Sequence, residues 1–138
     1  MIIFFVCLGM TTEIFFTAFM ALFTGKPVNN KPLVALAGTT YVWMAFIYGL
    51  IPIIAHYLYE KVKTQPFYNR IGLYVILIYT VEFISGYILK VTTGSCPWEY
   101  KTGWHIMGLI RLDFLPAWCF FAWMVERLYV FINNRVIQ

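Results

Sequence analysis

Two glutamates stand where an acid is costly. Glu13 lies in GMTTEIFFT (residues 9–17), halfway along an apolar stretch that opens the chain and is about long enough to cross a bilayer. Glu82 lies in TVEFISGY (80–87), at the centre of another such stretch. An ionised carboxylate in hydrocarbon must be neutralised, paired or turned toward a polar interior. The chemistry open to these groups is therefore uptake of a proton, a cation or a cationic solute, or general acid–base work by a carboxyl whose pKa is raised by burial. A packing role, in which the acids only hydrogen-bond a neighbouring helix, stands beside both. Gly9 and Thr17 lie four residues either side of Glu13, and Tyr79, Ser85 and Gly86 share the Glu82 face, so each acid sits on a small and polar stripe that should face protein.

The last apolar segment adds Arg111 and Asp113, and the guanidinium can reach several ångströms from its backbone. We expect Arg111 to converge with Glu13, Glu82 and Asp113 on an outward-facing polar site in the outer half of a helix bundle. Trp43 and Tyr48, in the second stretch, and Trp98 and Tyr100, in a loop, are expected to line or cap it. An aromatic belt at the membrane interface explains those rings equally well.

Positioning these groups takes four spans. Of 138 residues 62% are hydrophobic and only 12% charged, about half the charge of a soluble domain, which makes the chain an all-α integral membrane protein with no room for a separate soluble domain. The spans are expected at about 2–23, 38–59, 71–89 and 107–132, in one transmembrane domain. The likeness of TTEIFFTAF to YTVEFISGY leaves open two duplicated helical hairpins. GKPVNNKP (25–32) reads as a turn, and Leu33 to Thr40 as an interfacial or re-entrant piece before the second span. Pro52 should kink that span near Tyr48 and Gly49. His56 and Glu60 read as interfacial polar residues, and Glu126 as one that snorkels or pairs with Lys61 or Lys63.

The net charge of +4 comes from basic residues at segment ends, where they meet lipid headgroups rather than nucleic acid. Lys61, Lys63 and Arg70 in EKVKTQPFYNR (60–70) place that connection, and both termini, in the cytoplasm by the positive-inside rule. The three cysteines, Cys7, Cys96 and Cys119, have no metal-ligand spacing. Neither a metal nor a cofactor is expected.

Five motifs in order, GxxxE-x-x-F-T-A (Gly9 to Ala18), VWMAFIYG (Val42 to Gly49), EFISGYIL (Glu82 to Leu89), CPWEY (Cys96 to Tyr100) and MGLIRLDFLPAW (Met107 to Trp118) followed by Glu126, resemble the CmpB-like family of ABC-transporter type. The likeness extends to small four-span vertebrate membrane proteins grouped with it and covers nearly the whole chain. It implies a transporter- or permease-like membrane subunit, with Glu13, Trp43, Tyr48, Gly49, Glu82, Gly86, Pro97, Trp98, Tyr100, Gly108, Trp118 and Glu126 on motif positions. Arg111 lies outside the pattern.

The functional expectation is a small transport or channel subunit of a bacterial inner membrane, acting as a homo-oligomer, a dimer, among lipids. No Walker-type phosphate loop occurs, so an ATP-driven version would need a separate partner subunit. The alternatives are an intramembrane enzyme on a lipid or isoprenoid headgroup and a non-catalytic scaffold.

Overall fold

A computed structural model describes residues 1–136. Its four long helices, α1 (Ile2–Thr24), α2 (Val42–Val62), α3 (Phe67–Thr93) and α4 (Leu115–Val136), are each at the core of a segment long and apolar enough to cross a membrane. Among the described residues the chain is all-α apart from a small hairpin of two-residue strands, β1 (His105–Ile106) and β2 (Ile110–Arg111). Large apolar side chains face outward, with Phe15, Phe46, Ile76, Phe120 and Phe131 all more than 60% exposed. That is the reverse of a water-soluble surface and suits hydrocarbon. Two compact units make up the chain, Met1–Ile54 and Ala55–Gln138, and the division falls within α2.

In the first unit α1 is built largely from Ile, Phe, Leu, Met and Ala, and two of its threonines return their hydroxyls to the helix: Thr12 Oγ1 donates to Leu8 O at 2.8 Å and Thr24 Oγ1 to Met20 O at 2.7 Å. Gly25, left-handed at φ 65°, ends it. Pro27 and Pro32 turn the residue before each away from helix and open two short 3₁₀ turns, Val28–Asn30 and Leu33–Ala35, which left-handed Asn29 and Leu36 keep from continuing. The chain then runs back along α1. Gly38 lies so close to it that a Cβ would overlap the carbonyl oxygen of Ile14, and Thr39 N donates to Thr17 Oγ1 at 2.8 Å. From Thr24 to Ile14 is about 15 Å of helix, so the segment re-enters to the depth of mid-helix. The second helix accordingly starts at Val42 rather than near residue 38, because Gly38 to Thr40 are held against α1.

In the second unit Pro66 caps the start of α3 and Gly94, at φ 81°, ends it, with its N–H donating to Lys90 O at 3.1 Å. The helix is longer at both ends than the expected 71–89. The fourth helix differs more. It was expected from residue 107, but Met107 and Gly108 take positive φ (53° and 73°) and turn the chain into the β1–β2 hairpin, which pairs His105 with Arg111 and Ile106 with Ile110. A 3₁₀ turn, Leu112–Phe114, follows, and α4 starts at Leu115 with Pro116 in its first turn, where a missing N–H costs nothing. Arg111 and Asp113 therefore precede the helix instead of projecting from it. The α3–α4 contact is centred on Ile71, Val75 and Ala122, with Tyr74, Ile78, Tyr79, Trp118 and Cys119 packed around them.

Candidate functional site

Each unit supplies its own mid-helix glutamate with hydroxyl donors. Glu13 Oε2 accepts from Thr40 Oγ1 at 2.8 Å and from Tyr48 Oη at 3.1 Å. Thr40 arrives on the returning segment, and Tyr48, buried at 8% exposure, from the second turn of α2. Gly9, one turn before Glu13, gives the Tyr48 ring its seat, since a Cβ there would collide with the ring. Gly49 faces Ile2 and Val6, so small residues on both helices let them approach closely. Trp43 stands apart: it is 49% exposed, and its ring partner is Phe46 at 6.2 Å.

Glu82 is reached in the same manner by a different loop. Tyr100 Oη donates to Glu82 Oε1 at 2.8 Å. From Glu82 to Lys90 is about 12 Å of helix, so Tyr100 comes well below the end of α3. Three contacts hold its loop there. Lys90 Nζ pairs with Glu99 Oε1 at 2.7 Å, Tyr100 N donates to Gly108 O at 2.8 Å, and Trp98 Nε1 donates to Leu109 O at 3.3 Å. Leu109, fully buried, Cys96 Sγ and Trp98 all close on Gly86, where a Cβ would stand 3.2–3.3 Å from each of them. Arg111 and Asp113 pair with each other through Nε and Nη2. The guanidinium also lies over the Phe114 ring at 4.1 Å and 5.9 Å from that of Tyr100, and Tyr79 Oη donates to Arg111 O at 3.1 Å.

Charges follow these contacts. Burial, reinforced by the Glu82 carboxylate, pushes the Tyr100 phenol well above its ordinary pKa, so it remains a donor at any physiological pH. Lys90 holds the Glu99 carboxyl below the usual carboxylate range, Asp113 raises the Arg111 guanidinium further, and burial raises the Cys96 thiol. Among the described residues no group of three or more His, Cys, Asp and Glu gathers as a metal would require.

At the other end of α3, Glu126, 7% exposed, accepts two bonds from Arg70, from Nε at 3.1 Å and Nη2 at 2.8 Å, while Arg70 Nη1 reaches Gln65 O. This corrects the expected partners: Lys63 pairs with Glu60 and Lys61 with the Tyr57 hydroxyl. His56 Nδ1 meets the buried Tyr129 hydroxyl at 2.7 Å, so it joins a side-chain network.

Thus Tyr48 and Glu13 are brought together, as are Tyr100 and Glu82, and Arg111 and Asp113. The residues that sequence reasoning passed over are Thr40 and Arg70. Thr40 had a signal, the small and hydroxyl run Gly38-Thr39-Thr40 directly after a Pro-rich turn. Arg70 looked like one more interfacial cation. No family model matches the chain, and no solved structure matches it.

Proposed function

We propose that the chain is a small transport-type membrane subunit whose mid-membrane carboxylates, Glu13 and Glu82, take up and release a proton or small cation. One observation carries this reading: in each unit a non-helical segment re-enters beside the helix and presents a hydroxyl to the glutamate, Thr40 to Glu13 and Tyr100 to Glu82. Irregular backbone at membrane depth is tolerated only where protein or a water-filled cavity surrounds it, and transporters build ion sites from such broken segments. Ionisable groups at that depth commonly mark ion pathways. The resemblance to the CmpB-like family agrees with a transporter-type subunit.

The same proposal puts the chain in a bacterial inner membrane as a dimer, with the Glu60–Arg70 connection and both termini cytoplasmic, and leaves energy coupling to a separate subunit. A scaffold role is the second reading, favoured by the protein hydroxyls that already satisfy Glu13 Oε2 and Glu82 Oε1.

The deciding experiment measures proton release and binding by calorimetry in detergent, with metal cations and small amines as probes, for wild type, Glu13→Gln and Glu82→Gln. Binding that is largely lost in the variants supports an ion site. No binding, with loss of stability or oligomeric state alone, moves the scaffold reading to first place.

A further inference from the structure

Tyr74 Oη and Trp118 Nε1, both in the second unit, are buried with no hydrogen bond of ordinary length to any described residue. Both belong to side chains packed on the same Ile71, Val75 and Ala122 cluster between α3 and α4. Tyr74 Oη lies beside the Glu126 carboxylate, with no hydrogen bond of ordinary length between them. Buried polar groups are nearly always satisfied, and two orphans in one interface are the usual mark of internal water.

Their position gives that water a use. The two helices run antiparallel, with Arg70 opposite Glu126 at one end and Tyr79 opposite Arg111 and Leu112 at the other. Tyr74 lies between Arg70 and Tyr79 on α3, and Trp118 lies between Leu112 and Glu126 on α4. The orphans therefore fall between the Glu82–Tyr100 pair and the Arg70–Glu126 pair. Glu82 is about 12 Å along α3 from Tyr74, a gap that one or two waters and the Tyr79 hydroxyl span.

We infer that the α3–α4 interface of the second unit holds internal water at Tyr74 Oη and Trp118 Nε1, and that this water carries protons between Glu82 and the Arg70–Glu126 ion pair. The inference rests on the reading of Glu82 as an ion-accepting group and names the ion as the proton. A tyrosine hydroxyl both accepts and donates, so Tyr74 passes a proton on from oxygen to oxygen with no change in total charge. The indole N–H only donates, so Trp118 anchors a water and relays nothing. Arg70 keeps its proton and relays nothing; bonded to Gln65 O in the loop as well as to Glu126, it holds the Glu126 carboxylate, where the path ends, close to that loop.

The test uses the full chain in lipid vesicles and has two readouts. Water-edited NMR of the 15N-labelled tryptophans should show the Trp118 indole N–H in contact with water in wild type and that contact weakened in Tyr74→Phe. A dry Trp118 overturns the inference. Proton entry, driven by a potassium gradient and read by an entrapped pH dye, should fall at least about tenfold in both Glu82→Gln and Tyr74→Phe, the factor expected from one lost hydrogen bond. Tyr87→Phe, on an exposed face of α3, should change nothing. If Glu82→Gln lowers the flux and Tyr74→Phe does not, the path is wrong and the Glu82 site stands. If water contacts Trp118 but neither wild type nor variants pass protons, the reading of Glu82 falls and the proton path falls with it.

Discussion

Tyr100 Oη and Glu82 Oε1 meet at 2.8 Å across eighteen residues of sequence, and that bond ties the loop after α3 to the middle of the same helix. Tyr100→Phe removes the donor and leaves the carboxylate with one partner fewer. We expect a loss of about 1–3 kcal/mol in denaturant unfolding of the purified protein. Because Glu82→Gln disturbs the same bond, the double variant should cost less than the sum of the two single ones, and strict additivity would show that the pair is not coupled.

The returning segment of the first unit depends on a missing side chain. Gly38→Ala places a methyl on the carbonyl of Ile14, where only backbone movement relieves it, and should destabilise by about 1–3 kcal/mol. Gly72→Ala is the contrast, since a Cβ on that helical glycine meets nothing within 4 Å. It should be neutral or stabilising by up to about 1 kcal/mol through helix propensity. Thermal unfolding of the two variants side by side checks both signs.

Arg70→Met leaves the Glu126 carboxylate buried and unpaired, which should cost about 3–5 kcal/mol. Arg70→Met combined with Glu126→Met replaces the pair by apolar groups and should recover most of that loss. Recovery measured as the chemical midpoint identifies the ion pair as an orienting device; no recovery would mean that the pair itself contributes net stability.

Acid should release the loop from α3. Glu99 has its folded pKa lowered by Lys90, so its contribution is present above the ordinary carboxylate pKa and is lost as pH falls through the lowered value. The Lys90–Glu99 tie is therefore complete at neutral pH and opens only in acid below the ordinary carboxylate range. Trp98 fluorescence, with the other tryptophans replaced by Phe, should change in that range, and Lys90→Met should already show the acid-form signal at pH 7. A signal independent of pH from 7 to 2 in the parent would exclude the tie as the loop's anchor.

Fold class was legible because it follows from one-dimensional properties. Long apolar runs interrupted by Pro, Gly and charge mark where helix must stop, and α1 ends at Gly25 much as GKPVNNKP implies. Glu13 and Glu82 stood out for the same reason, each a lone acid inside an apolar run.

Where the helices start was less legible. Residues 107–112 are apolar enough to pass for a span, yet positive φ at Met107 and Gly108 turns them into a hairpin, and Arg111 leaves the helix with Asp113. Leu33 to Thr40 admitted an interfacial or a re-entrant path, and the fit of Gly38 on Ile14 selects the second.

By itself, then, the sequence determined a four-helix membrane chain with an acid in the middle of two of its apolar runs, because hydropathy and helix length depend on neighbours along the chain. Which group meets which acid was decided only in tertiary structure. Thr40 to Glu13, Tyr100 to Glu82 and Arg70 to Glu126 are contacts between residues 27, 18 and 56 positions apart. Each depends on how a loop returns or which helix faces meet, and no local pattern records that.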